Sequence, residues 1–266
     1  MRILALTLAV SLPVFAQQHV HGADAGSNVP AHEKHPLDPN APKPRGTMTD
    51  IPVGDQQSRA YVAKPSGGAK GALLVVHEWW GLNDWVKHEA DELAGQGYLA
   101  LAIDLYKGSV ASDPKQAQEL MGALDKAWAG NVEKAGVEWL KKNANGAKIG
   151  TIGWCMGGGE SLRASLLAPG DVSATVMYYG VPVLDPDELK KLKGPLLGIW
   201  AKKDGWITPD KVQQFDQALT AAGVKHEFHS YDADHAFANP SGGKYNPAAA
   251  KDAWQKTVAF LKKTLQ

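Results

Sequence analysis

The sequence lacks the features that mark several large classes of protein. Only one of its 266 residues is cysteine, so no disulfide can form within the chain. Lysine and arginine together number 28, as do aspartate and glutamate, so the formal net charge is zero. No run of basic residues and no internal repeat is visible. A nucleic-acid or anionic-membrane partner would need a basic surface, so we predict neither.

The apolar stretch at the amino terminus is too short to span a bilayer. Arg2 is followed by apolar residues 3–10 and then by Pro13-Val14-Phe15-Ala16, which has the small-residue pattern of a cleavage site. We therefore interpret residues 1–16 as a signal peptide and predict a periplasmic or secreted protein. The alternative is a cytosolic protein with a disordered amino terminus.

Residues 17–46 are rich in proline, histidine, asparagine and alanine and have almost no β-branched or aromatic side chains. Such a segment cannot bury enough apolar surface to offset the entropy of ordering, so we predict a flexible lead-in. Its histidines could bind copper, nickel or zinc weakly. No cysteine or acidic cage accompanies them, so we favour a solvated tail and predict no metal or other cofactor. These histidines are His19, His21, His32 and His35.

From residue 47 to residue 266 the pattern is that of one globular domain. Residues 72–76 form a continuous apolar run typical of a buried parallel strand, whereas residues 84–95 have helical spacing and end at glycine. Alternating strands and helices predict an α/β domain with a mostly parallel sheet and helices on both faces. We predict strands at 48–53, 59–63, 72–76, 98–103, 148–153, 174–179, 196–201 and 225–231, and helices at 84–95, 114–129, 132–142, 160–168, 209–222 and 247–265.

The single cysteine, Cys155, lies at the centre of Gly153-Trp154-Cys155-Met156-Gly157, between a predicted strand and a predicted helix. This is the pattern of a nucleophile elbow with sulfur in place of oxygen. The glycines leave room for a strained turn, and the helix amino terminus should lower the pKa of the thiol. The alternative is a small buried apolar residue, but a lone thiol in an oxidising compartment is better explained by function.

A nucleophile elbow requires an acid and then a histidine after later strands. Asp204 follows the predicted strand at 196–201, and His235 follows the one at 225–231. In this interpretation His235 moves the proton, and Asp204 fixes the tautomer of its imidazole. The alternatives that remain are His226 and His229 for the base, and Asp210, Asp232 and Asp234 for the acid.

Acyl transfer also requires donors for a developing oxyanion. We predict the backbone N–H of Met156, directly after the nucleophile, and that of Trp79, in the loop after the strand at 72–76. Glu78 lies in the same loop, where a carboxylate could hold or deprotonate the thiol of Cys155. The alternative is a glutamate on the surface of the loop.

Large side chains flank the proposed catalytic residues, and we predict an aromatic substrate pocket. Several of these tryptophans could instead belong to the core, because tryptophan is highly buried on average. The predicted pocket residues are Trp80, Trp154, Trp206, Tyr106, Lys107 and Phe237.

Five motifs in this order resemble the dienelactone hydrolase family, the cysteine-dependent members of the α/β-hydrolase fold. They are His-Glu-Trp-Trp-Gly at 77–81, Asp-Leu-Tyr at 104–106, Gly-Trp-Cys-Met-Gly-Gly at 153–158, Lys-Asp at 203–204 and Asp-His-Ala-Phe at 234–237. The resemblance runs from about residue 51 to the carboxyl terminus. It implies a carboxymethylenebutenolidase-type ester hydrolase with a Cys155–His235–Asp204 triad, and a mobile Glu78 that pairs with the thiol and yields the thiolate when substrate arrives. With the signal peptide, it implies an exported member.

The chain departs from the family at the two arginines that hold the dienelactone carboxylate. Those places are taken by Gly108, with Lys107 beside it, and by Asn239. A lysine ammonium lacks the bidentate fork of a guanidinium, which argues against dienelactone itself as the substrate.

The chemistry of sulfur narrows the predicted reaction. A thiolate is both a good nucleophile and a good leaving group, so the tetrahedral adduct returns to substrate unless the departing oxygen is weakly basic. We therefore predict hydrolysis of enol lactones, aryl esters or thioesters by a monomer that acts on small molecules. The alternatives are a binding or metal-handling protein that keeps the fold, and an acyltransferase or peptidase that uses the same acyl-enzyme.

Overall fold

The structure is a computed structural model that describes residues 43–266. The predicted signal peptide, and the predicted lead-in up to residue 42, lie outside the described residues. The strands are β1 (Thr47–Val53), β2 (Gln56–Ala63), β3 (Gly71–Val76), β4 (Tyr98–Ile103), β5 (Ile149–Trp154), β6 (Val172–Tyr178), β7 (Leu196–Ala201) and β8 (His226–Tyr231). The helices are α1 (Asp84–Gly95), α2 (Pro114–Gly122), α3 (Lys126–Asn143), α4 (Met156–Leu167), α5 (Pro186–Leu189), α6 (Pro209–Ala222) and α7 (Pro247–Leu265).

The strands form one sheet in the order β1-β2-β4-β3-β5-β6-β7-β8. The amino-terminal strands β1 and β2 pair antiparallel with each other, and β2 pairs antiparallel with β4. From β4 to β8 every pairing is parallel. The carboxyl ends of these parallel strands therefore lie along one edge, where functional groups collect in such sheets.

Helices cover both faces of the sheet, as predicted. Alternate residues of β3 separate into two cores: Leu73 and Val75 pack with side chains of α1 and α7, whereas Leu74 and Val76 pack with those of α3. A third cluster joins α4 and α6 over β7. β3, β4, β5 and β7 are buried along their whole length, and β3 contains the continuous apolar run at residues 72–76 that predicted a buried strand. Within residues 43–266, no helix is long and apolar enough to cross a membrane.

The prediction was wrong about the region between β4 and β5. It placed one helix at 114–129 and a second at 132–142, but the break lies at residues 123–125. Asp125 is the N-cap of α3, because its carboxylate accepts hydrogen bonds from the N–H groups of Ala127 and Trp128. Gly130, which looked like part of a break, lies inside α3 and against Leu167 of α4. The short helix α5 was not predicted.

Candidate active site

Cys155 occupies the sharp turn between β5 and α4. Its backbone has φ 55° and ψ −120°, a strained conformation for a residue with a side chain. The flanking glycines are required by close contacts: a Cβ on Gly153 would lie 2.1 Å from the carbonyl oxygen of Gly157, and a Cβ on Gly157 would lie 2.3 Å from that of Val76. Helix α4 begins at the residue after Cys155, four residues earlier than predicted.

A chain of hydrogen bonds joins three side chains from different strand ends. His235 Nε2 lies 3.1 Å from Cys155 Sγ, and His235 Nδ1 lies 2.6 Å from Asp204 Oδ2. Asp204 follows β7 and His235 follows β8, which are neighbouring strands, so the sheet places both beside the elbow. The structure thus brings together the three residues that the sequence singled out.

The alternative acids and bases lie elsewhere. His226 contacts Asp216 at 3.0 Å, and His229 contacts Glu227 at 2.6 Å. Asp232 pairs with Lys203 at the surface, Asp210 lies in the first turn of α6, and Asp234 is exposed. None of these residues contacts Cys155.

Asp204 is held as a carboxylate by its hydrogen bonds. Burial works to raise its pKa, but the bond to His235 and two bonds from the backbone N–H groups of Trp206 and Ile207 outweigh burial, so the pKa lies below its ordinary value. With Oδ1 occupied by these two donors, Oδ2 is directed at the imidazole. A charged carboxylate there stabilises the imidazolium form of His235.

The thiol of Cys155 differs from the prediction. We expected the amino terminus of α4 to lower its pKa, yet burial and the nearby carboxylate of Glu78 raise the pKa well above the ordinary value. The helix end does contribute, because the backbone N–H of Met156 hydrogen-bonds the sulfur and works in the lowering direction, but desolvation is the larger effect. The resting side chain is therefore a neutral thiol.

Two backbone N–H groups are directed at Cys155. They belong to Met156 and Trp79, and as hydrogen-bond donors both work to lower the pKa of the cysteine side chain. These are the groups that the sequence predicted as oxyanion donors. They lie beside the reacting atom, where charge develops on a bound carbonyl oxygen.

His77 fixes the loop that presents Trp79 and Glu78. Its Nδ1 donates to the carbonyl oxygen of Glu78 at 2.6 Å, and its Nε2 accepts from the N–H of Leu105 at 3.1 Å. Because the side chain is fully buried, its pKa is lowered, and the neutral ring can make both bonds. This positioning contact was not predicted.

Glu78 is buried, so the alternative of a surface glutamate is wrong. Asn239 Nδ2 donates to Glu78 Oε2 at 2.7 Å, whereas Oε1 has no hydrogen-bond partner among the described residues. Burial raises the pKa of Glu78 to about 7, although the bond from Asn239 works to lower it. The carboxyl group therefore changes charge near neutral pH.

A cavity of about 500 Å³ opens onto these groups. Trp79, Trp80 and Trp206 form its aromatic wall, with ring centroids 5.2 Å apart for Trp79 and Trp80 and 6.3 Å apart for Trp79 and Trp206. Trp206 also lies 5.1 Å from the ring of His235 and is 62% exposed. The glycine-containing loop 241–244, which the sequence analysis did not single out, forms the opposite rim.

Four predicted pocket residues do not line this cavity. Trp154 and Phe237 are core residues: Trp154 packs between Trp85 and Tyr178, and Phe237 packs against aromatic rings beneath the loop. Trp154 is the last residue of β5. Because side chains alternate between the two faces of a strand, its side chain lies in the core and does not point toward the cavity beside Cys155. Tyr106 is buried against the ring of His77.

Lys107 is held away from the cavity. Its ammonium lies 4.4 Å from the ring centroid of Trp128, in a cation–π contact. Lys107 was predicted to be a pocket residue because it lies beside Tyr106 in the sequence. The backbone turns at Lys107, with φ 54°, and its side chain lies over Trp128 instead. Among residues 43–266, no group of three or more histidine, cysteine or acidic side chains is placed to hold a metal ion.

The sheet topology and the site at its carboxyl edge define the class of this protein as an α/β-hydrolase. A model of the dienelactone hydrolase family matches residues 58–265, and the chain belongs to that family. It is therefore a hydrolase of the dienelactone-hydrolase type.

Two curated relatives match over nearly their full length. "Protein usf" of Aquifex pyrophilus is 33% identical over 83% of this chain and 99% of its own length. "Putative carboxymethylenebutenolidase" of Aquifex aeolicus is 32% identical over 83% of this chain and 100% of its own length. The crystal structure titled "Putative Dienelactone Hydrolase" from Klebsiella pneumoniae is 28% identical, has a TM-score of 0.75 and covers 82% of this chain and 98% of that one.

Proposed function

We propose that the protein hydrolyses activated carboxylic esters or lactones through a thioester formed on Cys155. The observation that supports this best is the unbroken series Cys155–His235–Asp204, with contacts of 3.1 and 2.6 Å at one end of an aromatic cavity. A nucleophile, its base and the group that orients the base are within hydrogen-bond reach of one another.

The reaction then follows from the positions of these groups. The thiol proton passes from Cys155 to the carboxylate of Glu78, and Sγ forms a bond to the carbonyl carbon while the carbonyl π electrons move to oxygen. The N–H groups of Met156 and Trp79 hydrogen-bond that oxygen. As the adduct collapses, the C–O bond breaks and the leaving group departs as a weakly basic anion, which takes its proton from solvent while Glu78 returns to solvent the proton that it received. In the second half, His235 takes a proton from water, which attacks the thioester and releases the acid and the thiol.

Glu78 has a role before this cycle begins. Because the resting thiol is neutral, some group must accept its proton before or during attack. We propose that Glu78 does so with Oε1, which has no other hydrogen-bond partner among the described residues, and that it moves when substrate arrives. A protonated Glu78 no longer opposes the negative charge that develops on the oxyanion.

The leaving group limits the range of substrates. A thiolate leaves a tetrahedral adduct more readily than an alkoxide or amide anion, so only weakly basic leaving groups such as enolates, phenolates and thiolates favour the forward reaction. The rings of Trp79, Trp80 and Trp206 give the acyl or aryl group a flat, apolar wall. Aryl esters and enol lactones meet both conditions.

An aryl-ester assay of the native protein, Cys155→Ala and Cys155→Ser tests this function. We expect Cys155→Ala to lose about 10³-fold or more in kcat, because no nucleophile remains. Prior alkylation should inactivate the native protein, and it should leave Cys155→Ala unchanged because Cys155 is the only cysteine. Equal activity in all samples, or faster turnover of an unactivated amide than of an aryl ester, would overturn the proposal.

We also propose that the mature protein is exported to the periplasm or beyond. The support is the amino-terminal pattern: Arg2, the apolar residues 3–10 and the small-residue site ending at Ala16. Mass spectrometry of the protein from fractionated cells should find chains that begin near residue 17. Full-length protein with Met1 intact in the cytoplasmic fraction would contradict it.

A further inference from the structure

Both polar atoms of the Asn239 side-chain amide make hydrogen bonds. The residue is 2% exposed, and its Nδ2 donates to Glu78 Oε2 at 2.7 Å. Its Oδ1 accepts from the backbone N–H of Ser241 at 2.9 Å and from the Ser241 hydroxyl at 2.5 Å. Because both hydrogen bonds to Oδ1 come from Ser241, the amide cannot be turned around without losing them. Its donor end is thereby directed at Glu78.

The loop that holds this amide also holds the catalytic base. The N–H of Asn239 donates to the carbonyl oxygen of Ala236, and the N–H of Gly242 donates to that of Asn239. Ala236 directly follows His235. The segment from His235 to Gly242 is thus a series of tight turns that places the imidazole against Cys155 and the amide against Glu78 at fixed separation.

The group that holds Glu78 is neutral. Among the described residues, the hydrogen bond from Asn239 is the interaction that opposes the effect of burial on Glu78. The titratable groups that interact with Glu78 from the surrounding elements are Cys155 at the elbow, Tyr179 after β6 and Glu89 on α1. The lysines of the cavity, Lys203 and Lys244, are both exposed.

We propose that Asn239, fixed by Ser241, is a positioning residue that holds Glu78 by one oxygen through a neutral amide and so sets the pH at which the site becomes reactive. The inference rests on the proposed function of Cys155 and Glu78. Glu78 must be ionised to accept the proton of the Cys155 thiol. A cation in place of the amide would favour the carboxylate strongly and would move that pH down, whereas an apolar side chain would move it up.

The surroundings of Glu78 agree with this role. Burial raises the pKa of Glu78 to about 7 in spite of the bond from Asn239. A neutral donor offsets desolvation only in part, because it supplies no net charge. Oε1 stays without a partner among the described residues, so the same carboxylate can be held by Oε2 and still accept a proton at Oε1.

The test compares the pH dependence of kcat/KM on an uncharged aryl ester in the native protein, Asn239→Leu and Ser241→Ala. Asn239→Leu keeps the volume but removes the donor, so the acidic limb should move to higher pH by about one unit or more. Ser241→Ala keeps the amide but loosens it, and a smaller shift in the same direction is expected. The rate of Cys155 alkylation against pH gives the same comparison without any turnover.

Asn246→Ala is the matched control. Asn246 caps α7 by accepting from the N–H of Ala249, and its side chain does not face Glu78. This variant should lower the melting temperature and leave both pH profiles unchanged. If Asn239→Leu fails to fold, Ser241→Ala decides the question by the same two profiles.

Two failures can be distinguished. If Cys155→Ala keeps the aryl-ester activity of the native protein, the proposed function fails. The role of Asn239 is then tested only by the pH dependence of the rate of Cys155 alkylation. If activity depends on Cys155 but neither profile shifts in Asn239→Leu or Ser241→Ala, the inference is overturned and the proposed function stands.

Discussion

At the scale of single residues, burial decides the charge of the groups that face the cavity. Cys155 and Glu78 both lose solvation, so both favour the neutral form. Asp204 also loses solvation but is surrounded by donors, and it favours the anion. The direction of each pKa therefore depends on the balance between lost water and hydrogen bonds gained.

Glu78→Gln should stabilise the protein most at and above neutral pH. The native state keeps a proton on Glu78 that the unfolded chain has released, because burial raises the pKa from 4.5 to about 7. Protonation therefore favours the native state below pH 4.5, and this stability is lost as pH rises through about 7, by about 3 kcal/mol at most. Urea unfolding at several pH values should show a smaller decline with pH in Glu78→Gln. An identical pH dependence in the two proteins would contradict this.

Asp204→Asn should lower kcat by about 10³- to 10⁴-fold with little change in folding, because an amide can stabilise neither the required tautomer nor the imidazolium of His235. Steady-state kinetics on an aryl ester measure the effect. Asp216→Asn is the control, since Asp216 also pairs with a histidine, His226, at 3.0 Å but away from the cavity. Comparable losses in both variants would show that the effect is not catalytic.

At the scale of elements, the turn from β5 into α4 is possible because Gly153 and Gly157 have no side chains. Gly157 packs its backbone against the carbonyl oxygens of Val76 and His77, at the end of the neighbouring strand β3. The close approach is what puts the sulfur next to the loop that contains Trp79.

Gly157→Ala should therefore destabilise the protein by about 3 kcal/mol or more, because the new Cβ would lie 2.3 and 2.4 Å from two backbone oxygens that cannot move independently. Gly95→Ala, at the end of α1, is the matched control. Its Cβ would meet nothing within 4 Å, so this change should stabilise by about 0.5–1 kcal/mol. Thermal or urea unfolding measures both, and a neutral Gly157→Ala would show that the turn has room to relax.

Most elements could be predicted from sequence where one physical signal dominated. The bounds of α1, α6, α7, β4 and β7 were predicted without error, because each has clear periodicity or apolar continuity and a distinct end. The break between α2 and α3 was misplaced because the sequence alone does not show whether Gly130 or Asp125 marks the helix boundary. The contacts of the two residues decide this.

The residues of the candidate site also divide into those that the sequence predicts and those that it does not. Cys155, Asp204 and His235 could be predicted because chain order and strand ends restrict them, whereas Trp154 could not be assigned, since a tryptophan beside a nucleophile serves core and pocket equally well. The contact between Asn239 and Glu78 joins residues 161 positions apart and leaves no local pattern.

At the scale of the whole molecule, charge is evenly balanced, with 28 cationic and 28 anionic side chains. The molecule therefore has no net field to draw a charged partner from a distance. An anionic aryl ester should show a kcat/KM that changes by less than about twofold when salt rises from about 0.01 to 0.1 M, although the Debye length falls from about 30 to 10 Å. A steep decline would reveal a local field at the cavity that the overall balance hides.

The position of β8 at the edge of the sheet has a consequence for biosynthesis. Cys155 is synthesised before β6, β7 and β8, whereas His235, which contacts its thiol, follows β8, the last strand among the described residues. A chain that ends before residue 235 would contain the proposed nucleophile without the histidine that contacts it. The hydrolysis proposed for this site can therefore begin only after residue 235 has been made and β8 has joined the sheet.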